Sequence, residues 1–296
     1  MEQKSEVMEA GRAFALGWKA RLLILGALLA GLGAFVYPAV LRELAVSVLN
    51  REGSSHGLFV PLVSGWFLWR ERGRIRRAEL GVSLLPGSLA IAAGFVLLFV
   101  SRQGTEIALP SISFLTVACG LVLLVLGSGV FRVVSFPLLF LAAMIPLPAT
   151  VYDQVAEWVR AVNTRGSVCL TQALHVPIYR QGYTIQLPNG SLFVNTSCSG
   201  IRYLLSYLVF SLPYGYLFKK GLTARTLTVL AALPVSIVAS VLRLSSIYLA
   251  VYFIGPVMAR HRPHVLLSWF VFLGVLVLAI SGDQYISRMW EKRQRA

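Results

Sequence analysis

The chain has 296 residues, of which 57% are hydrophobic and only 13% charged, and its mean hydropathy is +0.73. Soluble domains carry about 25% charged residues, so composition excludes a soluble globular protein and makes the lipid bilayer the main partner. The formal charge of +15 does not point to nucleic acid, because Lys and Arg gather in short loops between apolar runs, which is the topology signal of a membrane protein.

Residues 1–21 are polar and basic, with Lys4, Arg12, Lys19 and Arg21, and read as a cytoplasmic tail. An apolar run over 22–41 is about one bilayer long and too long for the apolar core of a signal peptide. A polar stretch ending Gly53-Ser54-Ser55-His56-Gly57 leads to a short apolar run, 58–69, and then to the densest basic cluster, Arg70, Arg72, Arg74, Arg76 and Arg77. Further spans are expected over 82–100, 111–126 and 130–145, the last two separated by a tight turn at Gly127-Ser128-Gly129. The run closes on Pro146-Leu147-Pro148.

The longest polar region, 149–197, follows. Val151, Val155, Val159 and Val162 recur at helical spacing, so its first part reads as an amphipathic helix lying on the membrane surface. Its second part has two β-rich runs around Asn189-Gly190, a type I′ hairpin signal. The hairpin delivers the chain into Asn195-Thr196-Ser197-Cys198-Ser199-Gly200-Ile201-Arg202, where a polar loop enters an apolar run over 203–218. Lys219, Lys220 and Arg225 precede a long apolar stretch, 226–254, that contains Pro234 and a single charge, Arg243. A basic loop with His261 and His264 leads to the last span, 265–281, and residues 282–296 form a second basic tail.

The reading is an all-α polytopic membrane protein: one integral membrane domain over 1–296, a bundle of about eight transmembrane helices with an amphipathic helix and a β-hairpin on its outer face. With both ends inside, the two tails and the loops after spans two, four and six hold 17 of the 27 Lys and Arg residues when Arg132, just past the Gly127-Ser128-Gly129 turn, is counted with them, the bias expected of cytoplasmic segments. That orientation places Cys198, Arg243 and His264, from three separate spans, at the same outer face.

A thiol at a membrane–water boundary is a candidate nucleophile, an arginine in an apolar helix a candidate fixed cation, and a histidine beside them a candidate general base. Each has a plainer role open to it: a small residue at a helix start, a snorkelling side chain, an idle loop histidine. His56, Arg202 and His261 are candidates for binding substrate, and His175 has the weakest case. No CxxC or HExxH spacing occurs, so neither a metal nor a cofactor is expected. Cys119 and Cys169 read as structural. A non-enzymatic transporter or polysaccharide-export component is the alternative from another class, although no internal repeat of the transporter kind is visible. A serine enzyme using Ser199 is a second alternative.

Together these blocks resemble the exosortase/archaeosortase family of polytopic membrane cysteine enzymes. Ser55-His56-Gly57-Leu58-Phe59-Val60-Pro61 with Leu68-Trp69-Arg70, the Pro146-Leu147-Pro148 element, Cys198-Ser199-Gly200-Ile201-Arg202, Leu242-Arg243, and His264 with Trp269 five residues later occur in the family's order. The resemblance covers about residues 56–282 and selects His264 over His261. It departs at Ser240, where the family has Asn, and at Ser268, where Gly is usual. The resemblance implies a Cys198, Arg243 and His264 active site without a cofactor, in an inner (cytoplasmic) membrane and facing the periplasm or exterior. It implies exported protein substrates with a C-terminal tripartite sorting signal (a short motif such as Pro-Glu-Pro, a membrane helix and a basic tail), transfer to an unknown surface acceptor, and a link to exopolysaccharide production.

Overall fold

The computed structural model describes residues 17–50, 57, 59–101, 104, 106–259 and 261–295. The chain divides into two compact units, Met1–Pro148 and Ala149–Ala296.

The first unit is helical. Helix α1 (Trp18–Gly31) runs through a π-helical turn (Leu32–Val36) towards α2 (Pro38–Asn50); α3 (Phe59–Arg70) and the short basic α4 (Arg72–Arg77) lead to α5 (Leu84–Ser101) and α6 (Ala108–Phe140). Helices α5 and α6 pack against each other because glycines let their backbones approach. A Cβ at Gly94 would stand 2.4 Å from Val117 Cγ2, and one at Gly120 would stand 2.9 Å from the Gly87 carbonyl. Leu25, Val117, Leu121, Leu126, Val130 and Val134 form the apolar core. Polar side chains inside it are paired: Arg21 Nη1 donates to the carbonyls of Gly81 (2.7 Å) and Val125 (2.9 Å), and Ser113 Oγ donates to Gly94 O (2.6 Å). The helical run of α6 is interrupted at Gly127, whose φ of 86° and ψ of 172° lie outside the helical region. That is where the sequence puts the turn between two spans.

The second unit is built around α9 (Leu222–Ile254), which packs against α7 (Ala149–Ala173), α8 (Ile201–Phe218) and α10 (His261–Arg295). At 33 residues and about 1.5 Å per residue, α9 is about 50 Å long, well over the ~30 Å of a hydrocarbon core. Between α7 and α8 the chain forms a three-stranded antiparallel sheet in the order β1 (Tyr179–Gln181), β2 (Thr184–Leu187), β3 (Gly190–Phe193), then a 3₁₀ turn over Thr196–Cys198.

Five segments among the described residues are long and apolar enough to cross a membrane: Trp18–Val36, Leu84–Ser101, Ala108–Met144, Leu222–Ile254 and Pro263–Met289. The runs read as spans at 58–69 and 203–218 are helical as α3 and α8, but α3 has only 12 residues and α8 carries Arg202, Ser206, Ser211 and Pro213. A polytopic, essentially all-helical membrane protein with one small sheet is what the chain forms.

Two local expectations need revision. In α7 the buried stripe is mostly polar, comprising Arg160, Asn163, Thr164, Ser167 and Thr171 with Ala156, Val159 and Val168, while Val151 is exposed. The helix does not simply lay its valines on lipid; it turns a polar stripe onto α9, where Ser245 Oγ donates to Ser167 O (3.2 Å). In the hairpin Leu187 pairs with Gly190, so the two turn residues are Pro188 and Asn189 rather than Asn189 and Gly190. A type I′ turn needs positive φ at both central residues, which proline cannot supply, and Gly190 takes its φ of 145° as the first residue of β3.

Candidate active site

The sheet is the mount for the loop that carries Cys198. Ile185, Leu187 and Val194 pack with Val176, Ile178, Leu244, Ile247, Tyr248 and Val251 in one apolar cluster, and Cys198 sits half-buried against it. The tip of the hairpin is tied to α9, because Asn189 Nδ2 donates to Tyr252 O at 2.8 Å. The far end is tied to α7 by Arg160. Its Nε donates to Val194 O (2.7 Å), and its guanidinium lies 3.7 Å from the Tyr183 ring centroid and 5.2 Å from that of Phe193.

Asn195 then starts the 3₁₀ turn. Its backbone and side-chain oxygens both accept from the Cys198 N–H, at 3.0 and 2.9 Å, the usual way an asparagine caps a helical turn. Ser199 is fully buried, and its Oγ accepts from the Ile201 N–H at 3.3 Å. Its hydroxyl is therefore turned onto the backbone at the start of α8. Gly200 has a φ of 96°. A side chain there would be in the unfavourable left-handed region, and its Cβ would stand 2.4 Å from Asn163 Nδ2 and 2.6 Å from Ser240 Oγ. Glycine is the residue that this turn admits.

Three of the candidates converge. Cys198 Sγ lies 3.9 Å from His264 Nε2, within hydrogen-bond reach for sulfur. Arg243, 5% exposed, donates from Nη2 to the Cys198 carbonyl at 2.6 Å, and its guanidinium carbon is 5.0 Å from the centroid of the Tyr203 ring. The guanidinium thus holds the backbone of Cys198 through its carbonyl. Its Nε is buried without a hydrogen-bond partner among the described residues.

His264 belongs to the first turn of α10, and its place against α8 is set by two tyrosines. The Tyr203 hydroxyl donates to the Ser268 carbonyl and the Tyr207 hydroxyl to the Phe272 carbonyl (2.9 Å). Two bonds one helical turn apart fix both the rotation and the height of α10 against α8. Ser268 Oγ in turn donates to His264 O at 2.7 Å.

The structure speaks to only some of the other candidates. His56 lies outside the described residues. His261 opens α10, but its side chain lies outside the described residues. Arg202 is half-buried in the first turn of α8, near enough to Tyr152 of α7 for its charge to oppose the larger effect of burial, which raises the Tyr152 pKa. His175, with a φ of 62°, is the left-handed residue that closes α7, where Val176 N–H donates back to Thr171 O. Cys119, Cys169 and Cys198 are all free thiols. Among the described residues no three of His, Cys, Asp and Glu gather as a metal-binding group. An apolar cleft of about 210 Å³ between α8, α9 and α10, with Tyr214 and Asp283 in its lining, is lined by none of Cys198, Arg243 and His264.

Residues the sequence reading passed over are Asn163, Tyr203 and Tyr207. Asn163 is fully buried on α7 and its Nδ2 donates to Ser199 O at 2.8 Å. The signal was available: Arg160, Asn163, Thr164, Ser167 and Thr171 mark a polar face at helical spacing.

A family model described as transmembrane exosortase matches residues 48–281, and the chain belongs to the exosortase family. It is accordingly a multi-pass membrane protein of the transpeptidase or protease kind that this family comprises. No curated protein matches the chain, and no solved structure matches it.

Proposed function

We propose that the protein is a cysteine-dependent membrane transpeptidase or protease in which Cys198 is the nucleophile and His264 its proton-transfer partner. The observation that carries this reading is the 3.9 Å separation of Sγ and Nε2, made by residues 66 positions apart on two different helices. As the Cys198 sulfur attacks a substrate carbonyl carbon, His264 takes the thiol proton. The tetrahedral intermediate collapses to a thioester, and His264 returns that proton to the leaving amine nitrogen. Water or an acceptor nucleophile then attacks the thioester and releases the Cys198 thiol. Arg243 orients the Cys198 backbone through its carbonyl, and its Nε is available to a developing oxyanion.

The substrate we propose is an exported protein with a C-terminal tripartite sorting signal, cleaved at the outer membrane–water boundary of the inner membrane and passed to a surface acceptor in an exopolysaccharide-linked system. His56, Arg202 and His261 are proposed to contact it. The basic loops support this orientation, and the family's order of motifs supports this substrate class. The rival transporter reading gains nothing from the packing of a thiol against an imidazole.

The test is processing in cells of a protein bearing such a signal, normalised to enzyme level by immunoblot. Cys198→Ala should abolish cleavage, and His264→Ala should reduce it about 10²–10⁴-fold, the usual contribution of a general acid–base. Cleavage at the normal rate by Cys198→Ala would refute the cysteine mechanism.

A further inference from the structure

Three side chains hold the backbone beside the Cys198 thiol, one from its own turn and two from other helices. Its N–H is held by Asn195 and its carbonyl by Arg243 of α9. The next carbonyl, that of Ser199, is held by Asn163 of α7. The peptide plane between Cys198 and Ser199 sets the ψ of Cys198, and the plane between Ser199 and Gly200 carries the chain into the left-handed φ of 96°. With both planes fixed, only the side-chain torsion of Cys198 is left to place Sγ.

Asn163 is an expensive way to fill this space if stability were its only purpose. It has no exposed surface, and its Oδ1 finds no partner among the described residues. Leaving one buried acceptor unsatisfied costs about 1–3 kcal/mol, roughly what a hydrogen bond from the same side chain contributes. Its neighbours behave alike. Ser240 Oγ and Arg243 Nε are also buried without partners, and Ser240 Oγ and Asn163 Nδ2 both press on the Cβ position that Gly200 lacks. A shell that gives up several hydrogen bonds while aiming the remaining ones at two consecutive carbonyls belongs to function more than to packing.

We propose that Asn163 is a positioning residue for the nucleophile. Together with Arg243 it fixes the two peptide planes that follow the thiol, and so sets the Sγ–Nε2 separation across which His264 acts. The inference rests on the Cys198–His264 pairing proposed above. Asn163 touches neither the thiol nor any reacting atom; it acts through the Ser199 carbonyl.

The test needs no substrate. Purified full-length protein in detergent is treated with iodoacetamide, and the rate of adduct formation at Cys198 is followed by mass spectrometry across pH, so that Cys119 and Cys169 are scored separately. His264→Ala defines the imidazole-dependent part of the profile. Asn163→Asp keeps the size but sets an oxygen against the Ser199 carbonyl, and Asn163→Ser is the milder variant should the first fail to accumulate. The rate at Cys198 should fall about 10–10²-fold, the scale of a ~1 Å misplacement, and the profile should become that of His264→Ala. Adding the Asn163 change to His264→Ala should produce no further fall, because the two act through one pair. A wild-type profile in the Asn163 variants, or losses that multiply in the double variant, would overturn the inference. A wild-type profile in His264→Ala itself would overturn the pairing on which it rests.

Discussion

Gly200→Ala is the smallest perturbation that tests the construction of the nucleophile turn, because it adds one methyl group where three atoms already stand. The left-handed φ of 96° costs an alanine about 1–2 kcal/mol. The new Cβ would meet Asn163 Nδ2 at 2.4 Å, Ser240 Oγ at 2.6 Å and Ser240 Cβ at 2.9 Å, closer than real contacts, and overpacking of this kind costs about 1–3 kcal/mol. If Asn163 yields, its bond to Ser199 is lost and a buried carbonyl is left bare, for about another 1–3 kcal/mol. The sum, about 3–8 kcal/mol, is a large fraction of the ~5–15 kcal/mol that a domain has to lose. At about 2–4 °C per kcal/mol, the unfolding midpoint in detergent should fall by about 6–30 °C, with loss of iodoacetamide reactivity specific to Cys198. Gly182→Ala is the control: its φ is 62° but nothing lies within 4 Å of the new Cβ, so only the backbone cost applies. Equal shifts in the two variants, or a Gly200→Ala protein with the wild-type midpoint, would show that the turn is not packed as described.

Arg243→Lys should lower processing at least tenfold while Cys198 stays in place, because an ammonium cannot both hold the Cys198 carbonyl and keep a second donor in the plane of the guanidinium; full processing would return Arg243 to the role of a membrane anchor. Tyr203→Phe removes one of the two bonds that seat α10 on α8 and should lower kcat with little effect on the unfolding midpoint, whereas an unchanged kcat would mean that α10 is placed by other contacts. Glu157 supplies a pH test. The Tyr183 hydroxyl and the Arg160 guanidinium hold its carboxyl below the ordinary range, so its contribution is present above the unfolded-state pKa and lost as pH falls through the folded-state value. The difference in unfolding midpoint between pH 7 and pH 4 should therefore shrink in Glu157→Gln, and an undiminished difference would remove Glu157 from the account.

The helices were legible because long apolar runs and basic loops are a strong and redundant signal. The three residues of the proposed site stood out in the sequence, because a cysteine at a helix entry, an arginine in an apolar helix and a histidine at a helix start are each out of keeping with their surroundings. What could not be read was that Arg243 touches a backbone carbonyl, that of Cys198. Helix α7 was read by its valines, although the stripe that packs runs through Asn163 and Thr164. In a membrane protein polar residues bury as readily as apolar ones, so hydrophobic periodicity names a face without saying where it points. The hairpin was located through Asn189-Gly190, but Pro188 shifts the turn back by one residue, and the three-residue strand β1 is too short for periodicity to find.

The segment from β2 to Cys198 is fastened to α9 at two heights, at Tyr252 through Asn189 and at Arg243 through the Cys198 carbonyl. These points are about 13 Å apart along one helix. The thiol is therefore cargo on α9, while the imidazole travels on α10. A small tilt of α9 against α10 widens or closes the gap between them without disturbing either helix. A change of bilayer thickness that tilted one helix against the other would therefore act on the distance between thiol and imidazole.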